Sequence, residues 1–192
     1  GPLPLDGNMD LIKAVTNHFG IKEGFRMFLQ SEAPPGSGLG GSSTVMVAVI
    51  SAVAEWLDLN MTNHEAANLA YVLEREDIGL KGGKQDQYAA VFGGFNLMRF
   101  RSDGVDVNCV RVKDDTVNEL QYRSVLCYTG TTRESANIID SQVKSFKKGS
   151  NEEALDHTKR IAEDMASALE KGDIQSTGEL LDEGWRNKKM FS

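Results

Sequence analysis

Leu11, Ile12, Val15 and Phe19 recur at helical spacing, which predicts a short amphipathic helix over Asp10 to Phe19 closed by Gly20. From Gly24 to Gln30 the pattern turns to alternation. Phe25, Met27 and Leu29 stand against Arg26, Phe28 and Gln30, and a strand is expected. Val45 to Leu57 is apolar on nearly every side, so a helix from about Ser42 to Leu57 should lie at the centre of the core. Thr62-Asn63-His64-Glu65 is a capping box. Its helix is expected to reach about Asp77, with Ala66, Leu69, Ala70 and Leu73 inward and His64 exposed in the first turn. A glycine-punctuated turn over Ile78 to Lys84 then leads into one or two helical turns, Asp86 to Phe92.

Gly93-Gly94 breaks that pattern. Phe95 to Phe100, Val105 to Val112 and Gln121 to Tyr128 read as three strands, the first two joined across Ser102-Asp103-Gly104. Two further capping boxes follow, Thr131-Thr132-Arg133-Glu134 and Ser150-Asn151-Glu152-Glu153. They open helices whose inward faces are Ala136, Ile139, Val143 and Phe146, and then Leu155, Ile161, Met165 and Leu169. A last helix, Ile174 to about Met190, carries Leu181 and Trp185, and no repeat period emerges. Strands give way to helices near residues 114–119. The expectation is an α+β chain with a boundary there, residues 1–115 followed by 116–192.

The stretch that organises this pattern is Pro34-Pro35-Gly36-Ser37-Gly38-Leu39-Gly40-Gly41-Ser42-Ser43, which runs straight into the apolar helix. Glycines let backbone N–H groups approach a ligand with no Cβ in the way, and a helix opening behind them aims its unpaired amides and positive dipole end at the same spot. The combination is a cradle for an anion, most often phosphate. A flexible linker would not run into a buried helix that starts with tandem serines. Gly36-x-Gly38-x-x-Gly41 also satisfies the dinucleotide fingerprint, but Pro34-Pro35 separates the expected strand from the loop, and a second helix follows where a strand is required. Gly36-x4-Gly41 has the spacing of a Walker A loop, yet Ser42 stands where its lysine belongs. Neither pattern is accepted. A phosphate loop without that lysine needs cationic help, for which Mg²⁺ is the expected source.

Composition narrows the field. The 192 residues are 40% hydrophobic and 26% charged, with a net charge of −7. That is an ordinary water-soluble balance, and it argues against a nucleic-acid partner, whose binding is dominated by Lys and Arg neutralising phosphates. The longest apolar stretch is too short for a bilayer and carries Glu55, so no membrane association is expected. Gly1-Pro2-Leu3-Pro4 lacks the features of a secretory signal. Cys109 and Cys127 make no disulfide framework, so the cytoplasm is the default location. His18, His64 and His157 have no zinc-like spacing. Self-association is left open.

A second cluster lies between the second helix and Gly93: Glu74-Arg75-Glu76-Asp77-Ile78-Gly79-Leu80-Lys81-Gly82-Gly83-Lys84-Gln85-Asp86-Gln87. A carboxylate at a helix end and another beyond a glycine turn can converge on one point. Facing a phosphate cradle, one could hold Mg²⁺ while the other acts on a substrate hydroxyl. The alternative is a solvated acidic helix end and an N-capping Asp86.

These two stretches together resemble the GHMP small-molecule kinases: Pro34-x-Gly-Ser-Gly-Leu-Gly-Gly-Ser-Ser matches that superfamily's second motif, and Glu74, Gly79, Gly83 and Asp86 match the spacing of its metal-binding Glu and catalytic Asp. Within it, Lys81 to Asn96 and Cys127 to Arg133 most resemble the heptose 7-phosphate kinases, with the kinase domain of the fucokinases next. The resemblance implies a fold with an amino-terminal part like ribosomal protein S5 domain 2 and the start of a helical, ferredoxin-like second domain. It implies that Pro35, Gly36, Ser37, Gly38, Leu39, Gly40, Gly41, Ser42 and Ser43 wrap the phosphates of ATP. Ser42 and Glu74 would hold Mg²⁺, and Asp86 would act on the anomeric hydroxyl of a sugar phosphate. Gly83, Lys84, Thr129, Gly130, Thr131 and Arg133 would complete the sugar site, with Lys84 and Arg133 near its distal phosphate. The implied reaction is phosphorylation of C1 of a heptose 7-phosphate. Gly41 stands where many members have Ser. The superfamily's amino-terminal motif has no counterpart before Asp10 and its carboxy-terminal glycine motif none after the helices, so the chain is expected to be a piece of a kinase with little turnover of its own. A non-catalytic nucleotide- or sugar-binding regulator is the alternative from another class.

Overall fold

A computed structural model describes residues 1–34, 36–127 and 152–189. These residues fall into two compact units, 1–92 and 93–127 with 152–189.

The first unit is helical. It comprises α1 (Asp10–His18), α2 (Gly41–Trp56), α3 (Asn63–Val72), a π-helical turn (Leu73–Asp77) and α4 (Gln85–Phe92). The expected amphipathic helix forms as α1, ended by Gly20 at φ 62°. α2 is the buried axis that its composition demanded: Met46, Val49 and Ile50 are within 1% of complete burial and pack with Val15, Ala70 and Leu73. Each large apolar side chain removed from water in this way stabilises the fold by about 1.5–3 kcal/mol. The capping box of α3 is complete, with the Thr62 N–H donating to Glu65 (2.8 Å) and the Glu65 N–H to Thr62 Oγ1 (3.3 Å). His64 is exposed, as expected, and presents its ring edge-on to Phe92 at 5.0 Å and to Tyr88 at 6.0 Å.

One expected element of this unit is absent. Gly24 to Gln30 forms no strand. An alternating segment becomes a strand only beside a partner that takes its hydrogen bonds, and the only ladder among the described residues lies in the other unit. Instead Phe25 rests its ring on Trp56 at 5.8 Å, while Phe28 is 86% exposed.

The second unit holds an antiparallel hairpin, β1 (Asn96–Phe100) and β2 (Val105–Cys109), with α5 (Asp114–Arg123), α6 (Glu152–Lys171) and α7 (Ile174–Lys188). The register pairs Met98 with Val107 and Phe100 with Val105. The third expected strand, Gln121 to Tyr128, is also corrected: 121–123 end α5, and 124–127 are irregular. Asp114 and Asp115 complement the dipole at the start of that helix, and Glu119 pairs with Arg123 one turn on (2.7 Å). These local terms outweigh the alternation, and Tyr122, Val125 and Leu126 are left 85–90% exposed.

The helix expected from Ser150 forms as α6 and buries Ile161, Ala168 and Leu169. The two apolar residues singled out on the last helix do not face inward. Leu181 is 62% and Trp185 57% exposed, and the buried positions of α7 are Thr177 and Asn187. Asn187 donates to the Ala154 carbonyl (2.7 Å) and the Thr158 hydroxyl (2.9 Å), so α7 is keyed to α6 by hydrogen bonds. The helix expected over Ala136 to Phe146 lies outside the described residues. No described helix is long and apolar enough to cross a membrane.

Candidate active site

Four segments of the first unit meet at the amino end of α2. The glycine loop comes first. Gly36, Gly38 and Gly40 have φ of 73°, 76° and 72°, while Ser37 and Leu39 between them stay out of the left-handed region. Alternation of hand along the chain curls successive N–H groups toward one side and makes an anion-binding nest. Only glycine takes this conformation repeatedly without strain. Gly40 is also the N-cap of α2, where no side chain bonds the free amides and no acidic residue stands in the first turn. The helix end is therefore open to an exogenous anion.

The second segment carries the acid. α3 does not end as an α-helix. Over Leu73–Asp77 it widens to a π turn, in which the Ile78 N–H bonds Leu73 O (3.0 Å) and the freed Glu74 carbonyl accepts from the Leu80 N–H (3.0 Å). Such turns concentrate at functional sites because they re-aim side chains. Here Glu74 is turned beneath α2 and is only 1% exposed. Its carboxylate accepts from three uncharged donors: Ser42 Oγ on Oε1, and Ser43 Oγ (2.8 Å) and Gln87 Nε2 (2.6 Å) on Oε2. Arg75 Nη1 lies 3.8 Å from Oε1.

The third segment is the turn from Ile78 to Lys84, which the Arg75 guanidinium holds from inside. Arg75 Nη1 donates to the carbonyls of Leu80 (3.4 Å) and Lys81 (3.3 Å), and Nε to that of Gly83 (3.4 Å). Gly82 lies so close to the guanidinium that a Cβ there would come within 2.4 Å of Cζ. Lys84 sets its ammonium over the Tyr71 ring, 4.6 Å from the centroid.

The fourth segment is α4. Asp86, exposed in its first turn, packs against the loop: a Cβ on Gly40 would stand 3.5 Å from both Asp86 Cβ and Cγ. Gln87, the next residue, is wholly buried. Tyr88 stacks on Phe92 at 6.3 Å within α4, both rings meet His64 of α3 edge-on, and burial pushes the Tyr88 phenol up.

Gly36 to Ser43, Glu74, Gly83, Lys84 and Asp86 are thus on one group of elements, with Asp86 against Gly40 and Glu74 against Ser42 and Ser43. Pro35, Thr129, Gly130, Thr131 and Arg133 lie outside the described residues. Gln87 and Arg75 were missed. The pattern did carry a signal for Gln87, a polar residue on the inward face of a short helix. Arg75 in an acidic run reads as a surface charge, and nothing in the spacing says that its guanidinium turns inward.

The donor chemistry can be tested against Mg²⁺. A hydroxyl and a carboxylate are hard oxygen ligands. No group of three or more His, Cys, Asp or Glu able to hold a metal occurs among the described residues, but Mg²⁺ is ordinarily held by one or two carboxylates with water and phosphate oxygens completing the shell. The Ser42–Glu74 pair fits that demand beside a phosphate nest.

Residues 9–94 match the GHMP kinases N terminal domain. Among individual relatives, the chain is 42% identical to the D-glycero-alpha-D-manno-heptose 7-phosphate kinase of Campylobacter jejuni subsp. jejuni serotype O:2, across 97% of this chain and 57% of that protein. It is 30% identical to the L-fucokinase/L-fucose-1-P guanylyltransferase of Bacteroides fragilis across 88% of this chain and 18% of that one. The crystal structure of a D-glycero-D-manno-heptose 1-phosphate kinase from Bacteroides thetaiotaomicron superposes with a TM-score of 0.77 at 40% identity, over 97% of this chain and 57% of that one. The expected fold family is therefore the observed one. The chain spans little more than half the length of the heptose phosphate kinases it matches.

Proposed function

We propose that this chain carries the phosphate-binding and catalytic part of a sugar kinase, which transfers the γ-phosphoryl group of ATP to the C1 hydroxyl of D-glycero-D-manno-heptose 7-phosphate. The observation that supports it is the packing of Asp86 on Gly40 while Glu74 bonds Ser42 and Ser43. A base, an anion nest and a hard-oxygen pair lie within one cluster of side chains.

In this reading the N–H groups of the loop and of the first turn of α2 hold the nucleotide phosphates. Asp86 accepts the proton of the sugar hydroxyl, or orients it, for in-line attack on the γ-phosphorus. Ser42 and Glu74 are the residues that would hold Mg²⁺, which would neutralise charge on the nucleotide phosphates. Phosphoryl transfer asks for positioning and charge neutralisation more than for covalent chemistry, and these residues are arranged to supply both. Gly83, Lys84, Thr129, Gly130, Thr131 and Arg133 are proposed for the sugar side, and the division into residues 1–115 and 116–192 is part of the same reading.

The sugar and the acceptor position rest on the relatives, whose names differ in the phosphate they specify. Coupled ADP release is therefore measured, on a form of the protein extended to the length of the heptose phosphate kinases, with heptose 7-phosphate, heptose 1-phosphate, fucose and galactose, and the product is read by ³¹P NMR. The proposal expects turnover of the 7-phosphate and a new anomeric phosphate signal. Turnover of fucose alone would move the chain to the fucokinases. Nucleotide binding with no acceptor turned over would leave a regulator.

A further inference from the structure

We propose that Gln87 and Ser43 are positioning residues that decide which oxygen of Glu74 meets a divalent cation. The inference rests on the kinase reading above and concerns how its metal ligand is presented.

The two oxygens of the buried carboxylate are treated unequally. Oε2 accepts from Ser43 Oγ at 2.8 Å and Gln87 Nε2 at 2.6 Å. Both donors lie inside the protein, Ser43 2% and Gln87 0% exposed. A carboxylate oxygen has two lone-pair sites, so two short bonds leave Oε2 nothing to offer a metal. Oε1 is the oxygen turned toward Ser42, the exposed residue of the pair and the one next to the glycine loop. Ligation through Glu74 is therefore by one oxygen.

Gln87 is committed to this role. Turning its amide over would aim Oε1 at Glu74 Oε2, acceptor against acceptor, so the hydrogen bond fixes the orientation. In that orientation Gln87 Oε1 is buried and has no hydrogen-bond partner among the described residues. A leucine or methionine would fill the space with no unpaired polar atom, so packing does not account for the glutamine. Its amide N–H on Glu74 does. Gln87 also follows Asp86 directly, and one hydrogen bond thereby ties the acid on the π turn to the helix bearing the base.

One-oxygen ligation selects among cations. Ca²⁺ takes carboxylates through one or both oxygens and needs six to eight ligands, so a second carboxylate oxygen helps to fill its shell, whereas Mg²⁺ and Mn²⁺ are content with one oxygen in an octahedron. Filling Oε2 with hydrogen bonds thus favours the smaller ions. Outer-shell partners of this kind are typically worth about 10- to 100-fold in metal affinity.

The test uses the full chain and its Gln87→Met variant. Mn²⁺ binding is followed by electron paramagnetic resonance in the presence of ADP, Ca²⁺ by competition, and metal-free ADP affinity by calorimetry. The expected result is about tenfold weaker Mn²⁺ binding, a smaller loss for Ca²⁺, and unchanged metal-free ADP affinity. Unchanged Mn²⁺ affinity would overturn the proposal, and so would an equal loss for both ions, which marks a merely loosened site. Ser43→Ala removes the other donor to Oε2 with little change in volume. It is judged by the same ratio, and it decides the matter if Gln87→Met does not fold. Absence of any Mn²⁺·ADP complex in the wild-type chain would overturn the kinase reading itself, and this inference with it.

Discussion

Gly82 offers a clean perturbation, because its backbone is not left-handed and a methyl group there acts by contact alone. In Gly82→Ala the new Cβ would lie 2.4 Å from Arg75 Cζ, 2.5 Å from Nη2 and 2.9 Å from Nε, closer than real contacts permit. A guanidinium is the far end of a flexible side chain, so Arg75 yields rather than the backbone. As it leaves, it gives up the carbonyls of Leu80, Lys81 and Gly83 and its place 3.8 Å from the buried Glu74 carboxylate. Hydrogen bonds to a charged group contribute about 1.5–3 kcal/mol at good geometry, but at 3.3–3.4 Å they sit well below that. The group together is worth about 2–3 kcal/mol. Urea unfolding of the wild type, Gly82→Ala, Arg75→Ala and the double variant forms a cycle. Gly82→Ala should cost about 2–3 kcal/mol in the wild type and less than about 0.5 kcal/mol once Arg75 is alanine. An equal cost in both backgrounds would refute the reasoning, since the damage would then not pass through Arg75.

Asp86→Asn should lower kcat by about 10²–10⁴ and leave nucleotide affinity nearly intact, and normal turnover would remove Asp86 from its role. Thr62 holds the Glu65 carboxyl below the usual carboxylate range by donating to it from its backbone N–H (2.8 Å) and its hydroxyl (2.7 Å). Because the folded pKa is depressed below the ordinary 4.5, the stabilisation is complete above that pH and is lost as pH falls through the folded value. The unfolding curves of wild type and Glu65→Gln should therefore differ at pH 6 and draw together in acid; a constant gap would exclude the linkage. Arg99 binds Glu163 through two hydrogen bonds of 2.9 and 2.7 Å, yet the side chains are 37% and 51% exposed. Arg99→Ala should cost no more than about 1 kcal/mol and less in high salt, as thermal unfolding across a salt series will show.

Legibility in the sequence followed the range of the interaction concerned. α1, α2 and α3 were readable because an apolar stripe, an all-apolar run and the Thr62–Glu65 box are local signals, and burial agrees with each. The glycine loop was readable for the same reason: left-handed residues must be glycine or nearly so, and Gly36, Gly38 and Gly40 are. Strands were read less well. Alternation marks a segment able to pair, but pairing needs a neighbour far along the chain, and Gly24 to Gln30 has none among the described residues. At 121–123 the Asp114-Asp115 start and the Glu119–Arg123 pair keep the chain helical through the alternating stretch. Glu74 and Ser43 were legible, but their inner partners were not. Gln87 and Arg75 matter through Glu74, whose direction is set by a π turn that no composition of Leu73–Asp77 announces.

That turn has a consequence for chain length. An α-helix advances 100° with each residue, since 3.6 make a full circle. Where Ile78 reaches back to Leu73, the circuit takes in a supernumerary residue. Shortening the segment by a single codon would restore ordinary winding, and the side chains of Leu73–Asp77 would be redistributed about the axis by as much as roughly 100°. The buried acid would then lose its aim although no side chain had been exchanged. Spacing here behaves as a gauge: an exchange of side chains leaves the count intact, but a frame-preserving gain or loss of one amino acid resets which residue faces the place the acid now holds.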